Sequence, residues 1–290
     1  MSAIRSILVP VDFSEIAAAS YRYALQLADH LSASVHLLHC LPAMTDASVH
    51  AHLLLDVTQV QQAQAEERLD AFLAAGVSDL TPNLNAPPVV ACSVTGLGLW
   101  EGIDQYLSTF PTDLIVMGTH GVHDGWDRLF GTNAAFLAGK VQVPILILPA
   151  TATFQPLKSI CFATALRESD LTGTRRLHHA LSAFAPTFNY LHVHHPENGQ
   201  SPEALDLFRR AFEQPNGGVG ATFTTVFNED VTDGIFNYLE NNAHDLLVMI
   251  KLPRKGWARW FSHRETLESA GITSLPLLVI SQTYALEPVG

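Results

Sequence analysis

The stretch Asp-Leu-Ile-Val-Met-Gly-Thr-His-Gly, residues 113–121, is the most informative part of the sequence, because an apolar run ends there in two closely spaced glycines. Four apolar residues after Asp113 are typical of a buried strand, and a helix-like stretch opens at Gly131-Thr132, with nine residues between Gly121 and Gly131. Glycines let the backbone approach an anion, and the first turn of a helix offers free N–H groups and the positive end of its dipole. The stretch therefore predicts a strand followed by a phosphate-binding loop.

The composition is typical of a globular protein with a large core. The 290 residues are 48% hydrophobic and 15% charged, and this length suggests two domains of ordinary size. No apolar run approaches the roughly 20 residues of a membrane span, and Asp12 interrupts the amino terminus too early for a secretory signal. We therefore expect a cytoplasmic protein without membrane association.

Charge and cysteine content exclude several classes of protein. The net charge of −12 repels nucleic acid, so a nucleotide would have to be held by a local site. Cys40, Cys92 and Cys161 form no Cys-x-x-Cys pair, and His192-x-His194-His195 has no Cys or carboxylate at a familiar ligand spacing. The sequence therefore predicts neither a disulfide framework nor a resident metal.

The second half of the chain repeats the first, with a boundary near residues 150–156, which predicts domains 1–150 and 151–290. The matched segments are Arg5-Ser6-Ile7 with Lys158-Ser159-Ile160, Leu38-His39 with Leu191-His192, residues 113–117 with 245–249, and residues 143–148 with 275–280. Because His192 matches His39, we expect a shared structural role for the two histidines. The final strands, 144–148 and 276–280, are expected to pair the two repeats, since each would otherwise leave an exposed sheet edge.

Within each repeat, short apolar runs alternate with stretches of helical period, which favours βαβ units and a parallel sheet covered on both faces. The predicted strands of the first repeat are Ile7–Val11, Val35–His39, Val89–Val94, Leu114–Met117 and Ile145–Leu148. Helices are predicted from about Ile16 to Leu31, with Ser14 as N-cap, and from Gln59 to Ala75. The stretch from Pro42 to Asp56 is interpreted as either a lid or a loop.

Ligands of doubly wound sheets bind beyond the carboxyl ends of the strands, where the strand order reverses. Asp12 follows the first strand there, and its carboxylate can accept from ribose hydroxyls or an adenine amino group. Cys40 and Met117 can flank a base with apolar surface. The alternatives are that Asp12 caps the next helix and that Cys40 is a core residue.

The segments Val9-Pro10-Val11-Asp12-Phe13-Ser14 and Leu38-His39-Cys40, the spacing Gly118-x2-Gly121-x9-Gly131-Thr132 and the closing Val143-Pro144 together resemble the universal stress protein family. The resemblance spans nearly the whole chain and implies an α/β fold of two tandem Rossmann-like domains, each a five-stranded parallel sheet sandwiched by helices. It also implies an ATP site in the first domain, with Cys40 where the family often has Val. The candidate residues are Pro10, Val11, Asp12, Cys40, Met117, Gly118, His120, Gly121, Gly131, Thr132 and Asn133. His120 is alternatively only solvent-facing.

The second repeat lacks these features: Ala165 stands near the position of Asp12, Ile250 replaces Gly118, Pro253 replaces Gly121, Ser262 replaces Gly131 and His263 replaces Thr132. Proline and a β-branched residue cannot supply glycine conformations, so we expect no ATP binding in this manner by the second repeat. Its loop instead carries basic residues from Lys251 to Arg264, which indicate either an anion or partner site or merely a solvated loop.

The resemblance implies a stress-response protein that binds ATP, or ADP or AMP, as a regulatory ligand, and Mg²⁺ would accompany the phosphates. The second domain would be structural or would face an unidentified protein partner, and further dimerisation of the tandem chain is left open. One alternative is a slow ATPase or phosphotransferase in the same pocket, although no Walker loop or catalytic residue is evident. Another is a nucleotide-free interaction scaffold in which the glycines form only a tight turn.

Overall fold

The computed structural model describes residues 4–41, 51–80, 84–86, 88–119, 132–194, 202–213, 221–251 and 275–286. The strands are β1 (Ser6–Val11), β2 (Ser34–Cys40), β3 (Val90–Thr95), β4 (Leu114–Gly118), β5 (Ile145–Leu148), β6 (Ser159–Ala163), β7 (Thr187–His194), β8 (Ala221–Phe227), β9 (Leu246–Lys251) and β10 (Leu277–Ser281). The helices are α1 (Glu15–Leu31), α2 (Ala51–Leu80), α3 (Leu99–Thr109), α4 (Thr132–Lys140), α5 (Glu168–Ala180), α6 (Pro202–Glu213), α7 (Val231–Asn241) and α8 (Gln282–Leu286). None of the helices in these ranges is both long enough and apolar enough to span a bilayer.

The first compact unit comprises residues 4–118 and contains four parallel strands in the order β3-β2-β1-β4. Ser14 caps α1, as predicted, because its hydroxyl accepts from the N–H of Ala17 at 3.1 Å. The predicted apolar face of α1 is buried: Tyr21, Ala24, Leu25, Ala28 and Leu31 are all in the core. The strand order reverses between β1 and β4, so the carboxyl ends of these two strands flank the expected ligand crevice of a doubly wound sheet.

The helix predicted to begin at Gln59 begins earlier, at Ala51. Residues 51–56 are therefore helical and are not a loop, whereas a role as a lid stays a prediction. The start at position 51 is easily missed in the sequence, because the apolar residues of α2 show little helical periodicity. The rest of the segment, 42–50, lies outside the described residues.

The second compact unit contains residues 119–290. Five of its strands are parallel, in the order β10-β9-β6-β7-β8, which confirms the sheet predicted for the second repeat. Strand β5 joins this sheet by pairing antiparallel with β10, so the predicted pairing of the final strands is confirmed. The register places Leu146 opposite Leu278, and these two residues also match each other in the repeat, so the pairing is symmetric about them.

The compact units divide at Gly118, whereas the sequence repeat divides near residue 150. The physical reason is the pairing of β5 with β10, which ties this strand of the first repeat to the second sheet. The division into domains 1–150 and 151–290 stays a prediction about the repeat.

Equivalent contacts in the two repeats confirm the internal duplication. The carboxylate of Asp113 accepts from the N–H groups of Arg5 and Ser6 at 2.9 and 3.0 Å. Asp245 does the same for Lys158 and Ser159 at 2.7 and 2.8 Å. In both repeats the carboxylate that precedes one central strand thus fixes the start of the neighbouring strand.

Candidate functional site

The turn after β1 places Asp12 at the carboxyl edge of the first sheet. Asp12 is exposed, and its Oδ1 accepts from the N–H of Ser14 at 3.0 Å, which closes an Asx turn before α1. Between them, Phe13 adopts a left-handed backbone conformation with φ of 65°. The two residues before the turn, Pro10 and Val11, are buried in the strand. Asp12 therefore helps to shape the helix start, and it is an exposed residue at the strand end.

The end of β2 lies beside this turn. The imidazole Nδ1 of His39 is 2.7 Å from the carbonyl oxygen of Val11, and the His39 and Phe13 rings lie 4.4 Å apart. The thiol of Cys40 packs on α3 instead, because a Cβ added to Gly102 would lie 2.8 Å from its sulfur. This burial raises the pKa of the Cys40 thiol to about 11. The backbone of Cys40 thus belongs to the strand edge, while its side chain is a packing group.

Gly118 ends β4 in close contact with α1. A Cβ at this position would lie 2.5 Å from Cγ2 of Ile16 and closer still to the hydroxyl oxygen of Ser20. The hydroxyl of Ser20 is itself fixed, since it donates to the Ile16 carbonyl at 2.8 Å. Glycine is therefore required here for packing, a reason that the sequence pattern alone did not indicate. Met117, the preceding residue, is half-buried.

The remaining candidate residues follow β4 along the chain. His120, Gly121 and Gly131 lie outside the described residues. Thr132 and Asn133 open α4, and Asn133 is exposed. Their predicted position at a helix start is thus confirmed, whereas their role as ligand contacts stays a prediction.

Sequence reasoning missed a cation at the edge formed by β1 and β2. The guanidinium carbon of Arg68, on α2, lies 4.4 Å from the centre of the Phe13 ring. Phe72, one helical turn later, meets the same ring edge-on at 5.8 Å. Arg68 and Phe72 are four residues apart, with the buried Leu69 between them, so the sequence could have placed them on one face of a helix. Only the structure shows that this face contacts Phe13.

The family-level comparison agrees with this geometry. A model of the universal stress protein family matches residues 3–149. The chain belongs to the universal stress protein family. No curated protein matches it at a significant level.

Solved structures share the fold of this family member over nearly its full length. A universal stress protein from Archaeoglobus fulgidus is 15% identical with a TM-score of 0.68, covering 96% of this chain and 98% of its own. A functionally unknown protein from Pseudomonas aeruginosa is 15% identical with a TM-score of 0.55, covering 98% and 95%. The cytoplasmic domain of a prokaryotic cation chloride cotransporter is 12% identical with a TM-score of 0.55, covering 98% and 97%. At these identities the likeness shows the fold, so the function has to be argued from the site.

The second repeat of this universal stress protein keeps the turn but changes its chemistry. Leu166 occupies the position of Phe13 with a similar φ of 57°, and Ala165 stands where Asp12 does. His192 lies with Nδ1 3.1 Å from the carbonyl oxygen of Thr164, which confirms the structural role that it shares with His39.

A carboxylate from the helix occupies the second turn. Asp170, on α5, is only 2% exposed, and its Oδ2 accepts from the Thr164 hydroxyl and the Ala165 N–H at 2.8 Å each. The same oxygen accepts from the N–H of Arg167 at 3.3 Å. Arg167 corresponds to Ser14, whose N–H is bound by Asp12 in the first repeat. Three donors of the second turn thus bond to one carboxylate oxygen of the helix, while the N–H of Leu166 donates to the Thr164 hydroxyl oxygen at 3.0 Å.

The strand-end glycine is also exchanged in the second repeat. Ile250 stands at the position of Gly118, and the residue facing it on α5 is Gly173, where a Cβ would lie 2.8 Å from Cδ1 of Ile250. Gly173 corresponds to Ser20. The close approach of helix and strand is kept, with the glycine moved from the strand to the helix.

The basic segment of the second repeat begins at Lys251, whose ammonium donates to the carbonyl of Gly139 near the end of α4. This contact suits the negative end of the helix dipole. Burial and the nearby charge of Lys140 lower the pKa of Lys251. The other predicted basic residues, from Arg254 to Arg264, lie outside the described residues.

Within the part of the chain that the structure describes, no group of three or more His, Cys, Asp and Glu side chains is arranged to hold a metal ion. The rings of His192 and His194, two of the three histidines in the densest histidine group of the sequence, have centres 6.3 Å apart. Mg²⁺ brought in by a polyphosphate is a separate matter, because the phosphates supply most of its ligands.

Proposed function

We propose that this universal stress protein binds an adenine nucleotide, ATP in the first place, at the carboxyl edge of its first repeat. The observation that carries the proposal is the exposed carboxylate of Asp12, held by its turn where the strand order reverses, in the repeat that also has the glycine motif. Asp12 would accept from the ribose or the adenine amino group, and the strand end at Cys40 would contact the base through its backbone.

The phosphates would be held by the motif that follows β4. Gly118, Gly121 and Gly131 would let the backbone approach them, and the N–H groups at Thr132 and Asn133 would donate at the start of α4. His120 would add a charge-assisted contact, and Mg²⁺ would bridge the phosphates. This part of the proposal is supported by the spacing of the motif in a family member.

The nucleotide acts as a regulatory ligand in this proposal. Binding to the folded state stabilises it by mass action, by about 2.7 kcal/mol at a hundredfold excess over Kd, so occupancy can be signalled without chemistry. The second repeat is a structural or partner-facing copy, because Asp170 occupies its turn and Ile250 fills the glycine position.

The test is mass spectrometry of the small molecules released when the protein, purified without added nucleotide, is denatured, together with titration calorimetry with ATP. We expect about one nucleotide per chain, lost in Gly131→Val and kept in the matched second-repeat variant Ser262→Val. Thermal unfolding of each variant checks that it folds. Two nucleotides per chain would contradict the role of the second repeat, and an empty protein that also fails to bind millimolar ATP would refute the proposal.

A further inference from the structure

The strand β8 lies at an edge of the sheet in the second repeat. Among the described strands it pairs only with β7, in an unbroken register of seven residues. The N–H of Asn228, directly after β8, donates to the carbonyl of His194 on β7 at 3.3 Å, which shows which residues of β8 face that strand. Because backbone N–H and C=O groups alternate in direction along a strand, every second residue of β8 directs them away from β7. These outward residues are Ala221, Phe223, Thr225 and Phe227.

An unpaired strand edge offers hydrogen bonds to any strand that can lie beside it, and natural edges are usually protected by charge, proline or a bulge. The sequence of β8 contains no charged residue, proline or glycine, and its register with β7 contains no bulge. Asn189 on β7 donates to the hydroxyls of Thr222 and Thr224 at 2.8 and 3.1 Å, which holds the strand straight. The side chain of Phe227 is 77% exposed. This edge is therefore ordered, apolar and open to a partner strand.

The strand β3, at the edge of the first compact unit, is protected in a way that β8 is not. Cys92 and Val94 direct their backbone groups outward there, because the carbonyl of Thr95 accepts from Leu41 on β2. The Cys92 thiol donates to a carboxylate oxygen of Asp70 at 3.5 Å. A second copy paired antiparallel about Cys92 would bring two Asp70 carboxylates close to each other, which is unfavourable. The contrast makes β8 the edge that can accept a strand.

We propose that β8 pairs antiparallel with β8 of a second copy of this chain, which makes a twofold-symmetric dimer. With Thr224 on the symmetry axis, all the outward residues find partners, since Ala221 pairs with Phe227 and Phe223 pairs with Thr225. Each of these pairs exchanges two backbone hydrogen bonds. Each aromatic ring lies opposite a small or β-branched side chain, and no like charges oppose each other along the strand. The exposed ring of Phe227 is thereby covered by the second copy.

The self-complementary pattern of β8 is what identifies a second copy as the occupant. One strand and its flanking side chains make a small interface on each copy, so the dimer forms in a concentration-dependent way. The inference does not involve the nucleotide site, and its test therefore needs no ligand.

The first test is sedimentation velocity of the full chain from micromolar to millimolar concentration, where we expect the dimer fraction to rise. Thr225→Pro removes an outward N–H that β7 does not use, and should weaken the dimer about tenfold. The matched control, Val94→Pro, removes an outward N–H of β3 and should leave the dimer as it is in the parent. Thermal unfolding checks that both variants fold. Phe227→Asp changes only an exposed side chain and should weaken the dimer as well, so the test does not depend on the proline variant alone.

The second test determines the register. Thr224→Cys places a thiol at the directly opposed pair on the axis, where the Cβ spacing suits a disulfide, so oxidation should link two chains. In Thr222→Cys, the matched control, each thiol faces Val226 of the other copy, and the two thiols lie about 13 Å apart along the strands, too far to link. Peptide mass spectrometry distinguishes these links from links through the native cysteines.

Three outcomes would overturn the inference. The first is a parent chain that stays monomeric at millimolar concentration. The second is a dimer that persists unchanged in both Thr225→Pro and Phe227→Asp. The third is a Thr222→Cys variant that links two chains as readily as Thr224→Cys does.

Discussion

The carboxyl edges of the two repeats share a turn and use it in opposite ways. In the first, the N–H of the residue that caps the helix is bound by Asp12, an exposed residue of the turn itself. In the second, the equivalent N–H is bound by Asp170, a buried residue of the helix. Where the carboxylate belongs to the turn, it is carried by an exposed residue at the edge of the sheet. Where it belongs to the helix, the donors of the turn are satisfied internally.

The packing beneath each turn differs in the same reciprocal way. Gly118 on the strand faces Ser20 on the helix in the first repeat, whereas Ile250 faces Gly173 in the second. Both arrangements place helix and strand in close contact, but only the first leaves a glycine at the strand end. One duplicated fold thus gives an edge suited to a ligand and an edge suited to packing.

The largest expected effect comes from removing the internal carboxylate. Asp170→Ala leaves the Thr164 hydroxyl and the N–H groups of Ala165 and Arg167 without their acceptor, so we expect a loss of about 3 kcal/mol in the free energy of unfolding. Asp12→Ala should cost about 1 kcal/mol or less, since Asp12 is exposed. Urea unfolding measures both.

Hydrogen exchange sharpens this comparison. In Asp170→Ala the amides of Ala165 and Arg167 should exchange faster, while the first repeat keeps its protection. Nucleotide affinity should show the reverse pattern, with Asp12→Ala weakening ATP binding and Asp170→Ala leaving it unchanged. Equal unfolding losses for the two variants would show that the two carboxylates are equivalent after all.

An intermediate effect is expected at the exchanged glycines. Gly118→Ala places a methyl group against Ser20 and Ile16, so we expect about 2 kcal/mol of destabilisation from overpacking. Adding Ser20→Gly, the residue that the second repeat uses, should recover about half of the loss, because Ile16 remains in contact. The matched experiment in the second repeat is Gly173→Ser with and without Ile250→Gly. Strictly additive losses in both double variants would contradict the reciprocal packing.

The sequence predicted the elements of the first repeat because their signals are local. All five predicted strands lie within one residue of the observed ones, and Ser14 caps α1 as its position before the apolar pattern indicated. The duplication and the pairing of the final strands also follow from matched residues.

What the sequence could not supply are contacts between residues whose meeting depends on the fold. The sequence repeat aligns Ser20 with Gly173, but it does not show what either residue contacts. In the structure Ser20 packs against Gly118 and Gly173 packs against Ile250. Arg68 is separated from Phe13 by α1, β2 and part of α2, and no spacing rule connects the two residues. Asp170 reads in sequence as an acidic residue of a first helical turn, and only the structure shows it collecting the turn's donors.

The cores of the two repeats also differ at one pair of helix and strand positions. Leu25 and Leu37 are fully buried in the first repeat, and their counterparts in the second are His178 and Tyr190. Nε2 of His178 lies 2.6 Å from the Tyr190 hydroxyl, and the imidazole stacks on Phe188 at 3.8 Å. Burial lowers the pKa of His178 from 6.5 to about 4.

The smallest expected effect is an acid sensitivity that follows from this difference. Between pH 6.5 and about 4 the unfolded chain binds a proton that the folded His178 does not, so its contribution to the free energy of unfolding falls as pH falls across that window. The loss should total about 1 to 2 kcal/mol after allowance for the ring's partial exposure.

The variant His178→Leu, which introduces the first repeat's residue, tests this expectation. It should be less stable than the parent at pH 7, because the Tyr190 hydroxyl loses its hydrogen bond to His178. It should also lose less stability than the parent on acidification. Urea unfolding at pH 7 and pH 4.5 measures how much free energy of unfolding the parent and His178→Leu each lose on acidification. His179→Leu, at the exposed neighbouring position, is the control. An equal loss of stability on acidification for the parent and His178→Leu would mean that the half-buried imidazole does not contribute to the acid response of the second repeat.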